Sequence, residues 1–187
     1  MRSVTYSMSV STDGYVTGPD GGLDWGFPDE ETFRLATDEV RGAGVHLMGR
    51  RLYEAMLYWE GADQNPSLTF STREFAALWR ALPKVVFSTT LTAVTGNARL
   101  ASGSLAQEIE RLRAEPDGGD IAIGGATLAA EAAAADLIDE YRLRVYPVLL
   151  GGGTPFFPRR GRRVDLELAE TRPLGPRVVY HRYRVLR

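Results

Sequence analysis

The chain has 187 residues, the length of one domain, and apolar side chains make up 44% of it, enough to build a core without staples. Charged residues at 25% and a formal net charge of -2 argue against a nucleic-acid or membrane partner. The absence of cysteine excludes disulfides, thiolate catalysis and cysteine metal sites.

The opening MRSVTYSMSVSTDGYV alternates apolar with polar residues, so Ser3–Val10 is predicted to be a strand rather than a secretory signal. No later run approaches the roughly 18 apolar residues of a membrane span, so the expectation is one cytoplasmic domain over 1–187. Asp13-Gly14 marks a turn, and a Gly/Pro-rich loop from Thr17 to Pro28 carries Asp24, Trp25 and Phe27. Asp29–Arg41 is predicted to be a helix with Phe33, Ala36 and Val40 on one face and acids in its first turn. Val45–Met48 is a short buried strand, broken at Gly49-Arg50 before a helical stretch to about Leu57. Ser71-Thr72-Arg73-Glu74 has the capping-box pattern and predicts a helix with Phe75, Leu78, Trp79 and Leu82 inward. Lys84–Ser88 is the next strand. A second capping box, Ser104 to Gln107, opens a helix that Pro116 and Gly118-Gly119 end. Ile121–Ile123 is a strand, Gly124-Gly125 a sharp break, and Thr127–Ala135 a helix. Tyr141–Leu150 reads as a long strand closed by Gly151-Gly152-Gly153, and Val164–Ala169 and Arg177–Leu186 as a terminal strand pair. Strand–helix alternation in the body predicts an α/β fold with a mostly parallel sheet, helices on both faces and an antiparallel C-terminal edge.

In open α/β sheets ligands sit beyond the carboxyl ends of strands, where helix N-termini offer free N–H groups. Gly124-Gly125 is such a place: glycine allows close backbone approach to a pyrophosphate, and Thr127 adds a hydroxyl. The spacing is not the G-x-G-x-x-G fingerprint, which argues against an ordinary Rossmann domain. At Met48-Gly49-Arg50-Arg51 an arginine at a helix start suits a phosphate monoester through its bidentate fork. Ser88-Thr89-Thr90, at another strand end, offers hydroxyls that complete such a pocket. A tight turn, a surface arginine and a hydroxyl-rich turn are the bland alternatives for the three. Lys84 is the only lysine, so any anion site must rely on guanidinium groups. No His/Asp/Glu cluster has metal-ligand spacing, so no metal is expected. His46 and His181 sit within strand patterns and read as core or edge residues.

Taken in order, these segments resemble the dihydrofolate reductase superfamily. The nearest likeness is the C-terminal reductase domain of the bifunctional riboflavin-biosynthesis deaminase-reductase and its stand-alone relatives. The pieces that carry it are Ser11-Thr12-Asp13-Gly14-Tyr15-Val16, Asp24-Trp25, Met48-Gly49-Arg50-Arg51-Leu52-Tyr53-Glu54, Val85-Val86-Phe87-Ser88, Ile123-Gly124-Gly125-Ala126-Thr127-Leu128, Leu137 to Leu143, and Pro147 to Gly153. The resemblance implies a dihydrofolate reductase-like three-layer α/β/α fold, NADPH as hydride donor, a small-molecule substrate and a homodimer. It assigns Arg50, following Gly49 and beside Arg51, to the 2′-phosphate with Ser88 and Thr89. Gly124, Gly125, Ala126, Thr127 and Leu128 fall along the pyrophosphate, and Ser9, Val16, Thr17 and Gly18 along the nicotinamide and ribose.

Hydride transfer to C=N or C=O needs a proton source. The resemblance points to a carboxylate on the first helix, here Glu30 or Asp29, although a helix cap explains Asp29 equally. Trp25 and Phe27 could stack on a flat heterocycle or serve as a lid on the core. The implied substrate is 5-amino-6-(5-phosphoribosylamino)uracil. The riboflavin pattern, however, carries a first-strand lysine where this chain has Tyr6-Ser7-Met8-Ser9. The run Arg159-Arg160-Gly161-Arg162-Arg163 offers an alternative phosphate anchor or a solvated loop, and Phe156-Phe157-Pro158 could close the pocket or pack a dimer face. The alternatives are a stand-alone reductase with an unrelated substrate and a non-catalytic nucleotide-binding homologue.

Overall fold

The central strands are short apolar runs, closed by Gly49, by the hydroxyl turn at Ser88-Thr89 and by Gly124-Gly125. A computed structural model describes residues 1–116, 118–158 and 163–187. Its elements are β1 (Val4–Ser11), β2 (Tyr15–Thr17), α1 (Glu30–Gly42), β3 (Ala43–Gly49), α2 (Arg50–Met56), α3 (Phe70–Ala81), β4 (Lys84–Phe87) and β5 (Ala98–Leu100). Then follow α4 (Leu105–Ala114), β6 (Asp120–Gly124), α5 (Ala126–Ala134), β7 (Glu140–Tyr146), β8 (Thr154–Pro155), β9 (Leu166–Leu174) and β10 (Val178–Val185). The main sheet runs β5-β4-β3-β6-β1-β7-β10-β9. Strands β5 through β7 are mutually parallel, and β10 and β9 form the antiparallel edge. β2 and β8 form a separate two-stranded ribbon.

The period-2 alternation of the strands divides the core into layers. Val45, Leu47, Val85, Ile121 and Ile123 face α4 and α5, whose Leu105, Ile109, Leu128 and Ala132 cover them. Met48 and Val86 face the other way, toward Tyr53, Phe75, Trp79 and Leu82 from α2 and α3 and Phe33 and Val40 from α1. Burying each such large side chain contributes about 1.5–3 kcal/mol. The only lysine belongs to this second layer. Lys84 Nζ donates to the carbonyls of Trp79 (2.6 Å) and Leu82 (3.1 Å) and lies 3.1 Å from Glu60, so it is a fully satisfied structural ammonium.

Several predicted boundaries move. The Ser71 capping box does not form: α3 starts at Phe70, and Thr69 caps it by accepting from the Thr72 N–H. The second box, Ser104 with Gln107, is present in both directions. β7 stops at Tyr146 rather than Leu150, because Pro147 has no N–H for the ladder and the Val148 N–H turns back to the Tyr146 carbonyl at 2.8 Å. β9 extends from Leu166 to Leu174, later than the predicted Val164–Ala169. The short β2, β5 and β8 had no legible period. Phe156 is buried and stacks on Tyr6 with centroids 4.4 Å apart, while Phe157 meets Tyr141 edge-on. Of the predicted arginine run, residues Arg159, Arg160, Gly161 and Arg162 lie outside the described residues.

Candidate active site

Three adjacent parallel strands end at one level. Gly49 at the end of β3 pairs with Phe87 at the end of β4, and Met48 pairs with Gly124 at the end of β6. The chain therefore delivers Gly49-Arg50, Ser88-Thr89 and Gly124-Gly125 to the same edge of the sheet. Gly124 is required by crowding, since a Cβ there would come within 2.4 Å of the His46 ring and Leu52. Gly125 is required by conformation: its φ of +88° is the left-handed region, and a Cβ would meet nothing. Directly after it α5 begins without a side-chain cap, leaving first-turn N–H groups for an anion. Thr127 is exposed and Ala126 half-buried, whereas Leu128 sits in the core and offers only its backbone.

The Arg50 side chain is 46% exposed and pairs, among the described residues, with Glu54 at 3.3 Å. Such an exposed i,i+4 pair contributes well under 1 kcal/mol, so the guanidinium is available to a stronger anion. Because α2 has only seven residues, the charge on this guanidinium rather than a helix dipole is what this edge offers. Arg51 and Thr89 are exposed. Ser88 Oγ accepts from the N–H groups of Thr90 (3.1 Å) and Leu91 (3.0 Å), which fixes the turn.

The residues expected beside the nicotinamide follow β1. Ser9 is half-buried, with its side chain against Gly26. The Val16 side chain is in the core, and Thr17 exchanges a 3.0 Å hydroxyl bond with Thr154, so Val16 and Gly18 offer backbone alone. Sequence reasoning missed Asp13 as an anchor. Its carboxylate accepts from Ser11 Oγ (2.6 Å) and from the N–H groups of Leu150 (3.1 Å) and Gly151 (2.8 Å), tying the triglycine loop to β1. The Ser11 hydroxyl first, then those amides, hold this carboxyl below the usual range.

The three acids of the first-helix segment make different contacts, and Asp29 takes the capping role. Asp29 is the N-cap of α1 and accepts from the Thr32 N–H at 2.9 Å, which lowers its pKa. Glu31 accepts from the Gly175 N–H at 2.7 Å and so pins the β9–β10 turn. Glu30 is exposed and pairs with Arg34 at 3.2 Å. Phe27 is 78% exposed. Trp25 packs edge-on against Tyr146 at 5.6 Å, and its Nε1 is buried with no partner among the described residues.

Between α1 and the sheet is a cavity of about 210 Å³, and Gly124 forms part of its wall. It exists because the inward positions at the sheet centre are small: Thr5 and Ser7 on β1, Ala122 and Gly124 on β6. On one side stand His46, Leu52, Phe75 and Trp79; on the other Glu39, Arg142 and Arg144. Glu39 Oε2 accepts from Ser7 Oγ (2.8 Å) and from Arg144 (2.7 Å), and Arg142 binds Glu140 (2.6 Å) and Asp120 (2.8 Å). Burial, helped by the charge on Lys84, pushes the His46 pKa down to about 4. A larger cavity, about 330 Å³, lies on the α5 side near the amino end of β7 and Val185–Arg187. The smaller one adjoins the diglycine edge at Gly124 and gathers polar groups inside apolar walls. Among the described residues no His/Asp/Glu group could hold a metal, and no helix is long and apolar enough to cross a membrane.

Comparison with known proteins agrees with this architecture. YyaP of Bacillus subtilis, an uncharacterised protein, is 28% identical over 184 residues, covering 96% of this chain and 95% of YyaP. The fold is similar to that of a putative riboflavin biosynthesis protein from Shewanella sp. PV-4, with TM-score 0.76, 23% identity and 99% of both chains covered. It is also similar to RibD of Acinetobacter baumannii, with TM-score 0.71 and 16% identity, over 100% of this chain and 59% of that one. The fold is thus the dihydrofolate reductase-like three-layer α/β/α arrangement, a reductase-type fold. Residues 2–180 match the RibD C-terminal domain, and the chain belongs to that family.

Proposed function

We propose that the chain is an NADPH-dependent reductase of a small pyrimidine- or pteridine-like molecule, with the nucleotide along the β4–β3–β6 strand ends. The observation that carries this reading is the register that sets Arg50, Ser88 and Gly124-Gly125 at one level. Arg50 would take the 2′-phosphate, with Ser88 and Thr89 beside it and Arg51 adjoining. The backbone of Gly124 through Leu128 would follow the pyrophosphate. Ser9 and the backbone of Val16, Thr17 and Gly18 would border the nicotinamide end. Bound NADPH supplies a hydride; the chain's residues bind, orient and exclude water, and a proton must reach the reduced heteroatom. With Asp29 committed as a cap, Glu30 is the carboxylate of that segment left to deliver it. A homodimer in the cytoplasm completes the reading.

In its most concrete form the substrate is 5-amino-6-(5-phosphoribosylamino)uracil. A stand-alone reductase with a different substrate is favoured by one observation: the Tyr6–Ser9 segment, where the riboflavin pattern carries a lysine, has none, and its Ser7 donates to Glu39 instead. Loss of NADPH absorbance on mixing with reducible pyrimidines and pteridines tests the activity, and no oxidation across such a panel contradicts it. In the reactive case, Glu30→Gln should lower turnover about a hundredfold with NADPH affinity unchanged. Unchanged turnover would hand proton delivery to solvent.

A further inference from the structure

The loop that leaves β7, Pro147 to Gly153, ends in three successive glycines. Glycine gives up more backbone freedom on folding than any other residue, so such a run is held only by the groups it bonds to. Gly153 is required by close approach: a Cβ there would collide with the Thr17 carbonyl oxygen and come within 2.7 Å of Gly18. Bare backbone thus packs on bare backbone, and the loop is the support behind Thr17 and Gly18, the stretch that would border the nicotinamide end.

Both ends of the loop are stitched to the segment that follows β1. The Thr12 N–H donates to the Val148 carbonyl at 2.9 Å, and the Thr17 hydroxyl donates to Thr154 Oγ1 at 3.0 Å. Between them stands Asp13, whose carboxylate takes the N–H groups of Leu150 (3.1 Å) and Gly151 (2.8 Å). The Ser11 hydroxyl donates to the same carboxylate at 2.6 Å and accepts from the Tyr15 N–H at 2.9 Å. One relay therefore runs from the first residue of β2 through Ser11 and Asp13 into the glycine run. A carboxylate suits the task, because each oxygen accepts more than one bond and charge strengthens each of them.

The sheet is complete without this device. β1 and β7 pair through Ser11 and Tyr146, and β7 pairs in turn with β10. What Asp13 fixes lies beyond the carboxyl ends of β1 and β7, the side on which open α/β sheets bind ligands. Resting on the reductase reading for the identity of the ligand, we propose that Asp13 is a positioning residue for the nicotinamide half of the nucleotide. It touches neither cofactor nor substrate. It fixes the triglycine loop and, through Gly153, the backbone of Thr17 and Gly18 against which the ring is set. The adenine half, at Arg50 and Ser88 beyond β3 and β4, does not depend on it.

Calorimetric titration of the full chain with NADPH and with adenosine 2′,5′-bisphosphate, which keeps the adenine half and has no nicotinamide, tests this. Asp13→Ala should weaken NADPH binding about tenfold and leave the bisphosphate within about twofold of the wild type. Asp13→Asn, which keeps one carbonyl acceptor, should recover part of the loss. Thr154→Val removes the hydroxyl bond at the far end of the loop and should give the same selective loss, about threefold, so the proposal stays open to test if Asp13→Ala fails to fold. Parallel weakening of both ligands would mean a structural role alone, and undiminished NADPH affinity in the variants that fold would mean no role; either overturns the proposal. A wild-type chain that binds neither ligand removes the nucleotide reading and this proposal with it, whereas a failure confined to the variants leaves that reading standing.

Discussion

The helix-covered face that bears α1, α2 and α3 is built in two unlike halves. Over β4 and β3 it is aromatic and apolar, with Phe33, Phe75, Trp79 and Met48 in mutual contact and one lysine sealed beneath them. Across β7, β10 and β9 the same face is a chain of ion pairs, Arg144–Glu39, Arg142–Glu140, Arg182–Glu140 and Arg182–Glu170. The cavity lies where the two halves meet. Stability in the first half comes from area removed from water; in the second it comes from charges that offset one another's desolvation and contribute little net. A site placed at the boundary has apolar walls on one side and fixed dipoles and charges on the other, the arrangement that lets polar groups act strongly on a ligand.

Truncating side chains in each half separates the two contributions. Phe75→Ala, in the aromatic half, should cost about 3–5 kcal/mol in chemical denaturation, through lost transfer energy and the hole left behind. A loss below 1 kcal/mol would show that this half is not the anchor. Between the halves stands His46, whose pKa falls from 6.5 to about 4 on folding. The unfolded chain therefore takes up the proton first, so stability is complete above pH 6.5 and falls progressively down to about pH 4. Denaturation across that window should show a decline on the order of 2 kcal/mol, and His46→Leu should lack that component. An identical acid limb in the variant would contradict a buried neutral ring. Arg182→Ala, in the charged half, should change stability by less than about 1 kcal/mol, because its Nε lies 3.8 Å from each of two carboxylates. A larger loss would mean that the ion-pair chain holds the edge strands in place.

This division also explains what the sequence reveals. Val45–Met48, Lys84–Ser88 and Ile121–Ile123 are short apolar runs closed by Gly49, a hydroxyl turn and Gly124-Gly125, so their identity and order are readable, and with them the edge that gathers Arg50 and the diglycine. The capping box at Ser104 reads directly because both of its partners are local, whereas Thr69 wins over Ser71 through a helix start two residues earlier that no local pattern marks. The cavity is not readable. Tyr141-Arg142-Leu143-Arg144 alternates like any half-exposed strand, and nothing local shows that Arg144 meets Glu39, 105 residues away on α1. Likewise Asp29, Glu30 and Glu31 look interchangeable, and only the long-range return of Gly175 separates them into a cap, an exposed acid and a clamp.

If the β4–β3–β6 edge binds a nucleotide through its 2′-phosphate at Arg50, that guanidinium sets the preference between NADPH and NADH. Fluorescence titration of NADPH and NADH against the wild-type chain and Arg50→Ala tests it most directly. The wild type should bind NADPH about tenfold or more tighter than NADH, a charge-assisted bidentate pair being worth about 1.5–3 kcal/mol. That preference should vanish in the variant while NADH affinity is unchanged. Equal affinity for both nucleotides, or an undiminished NADPH preference in Arg50→Ala, would contradict it.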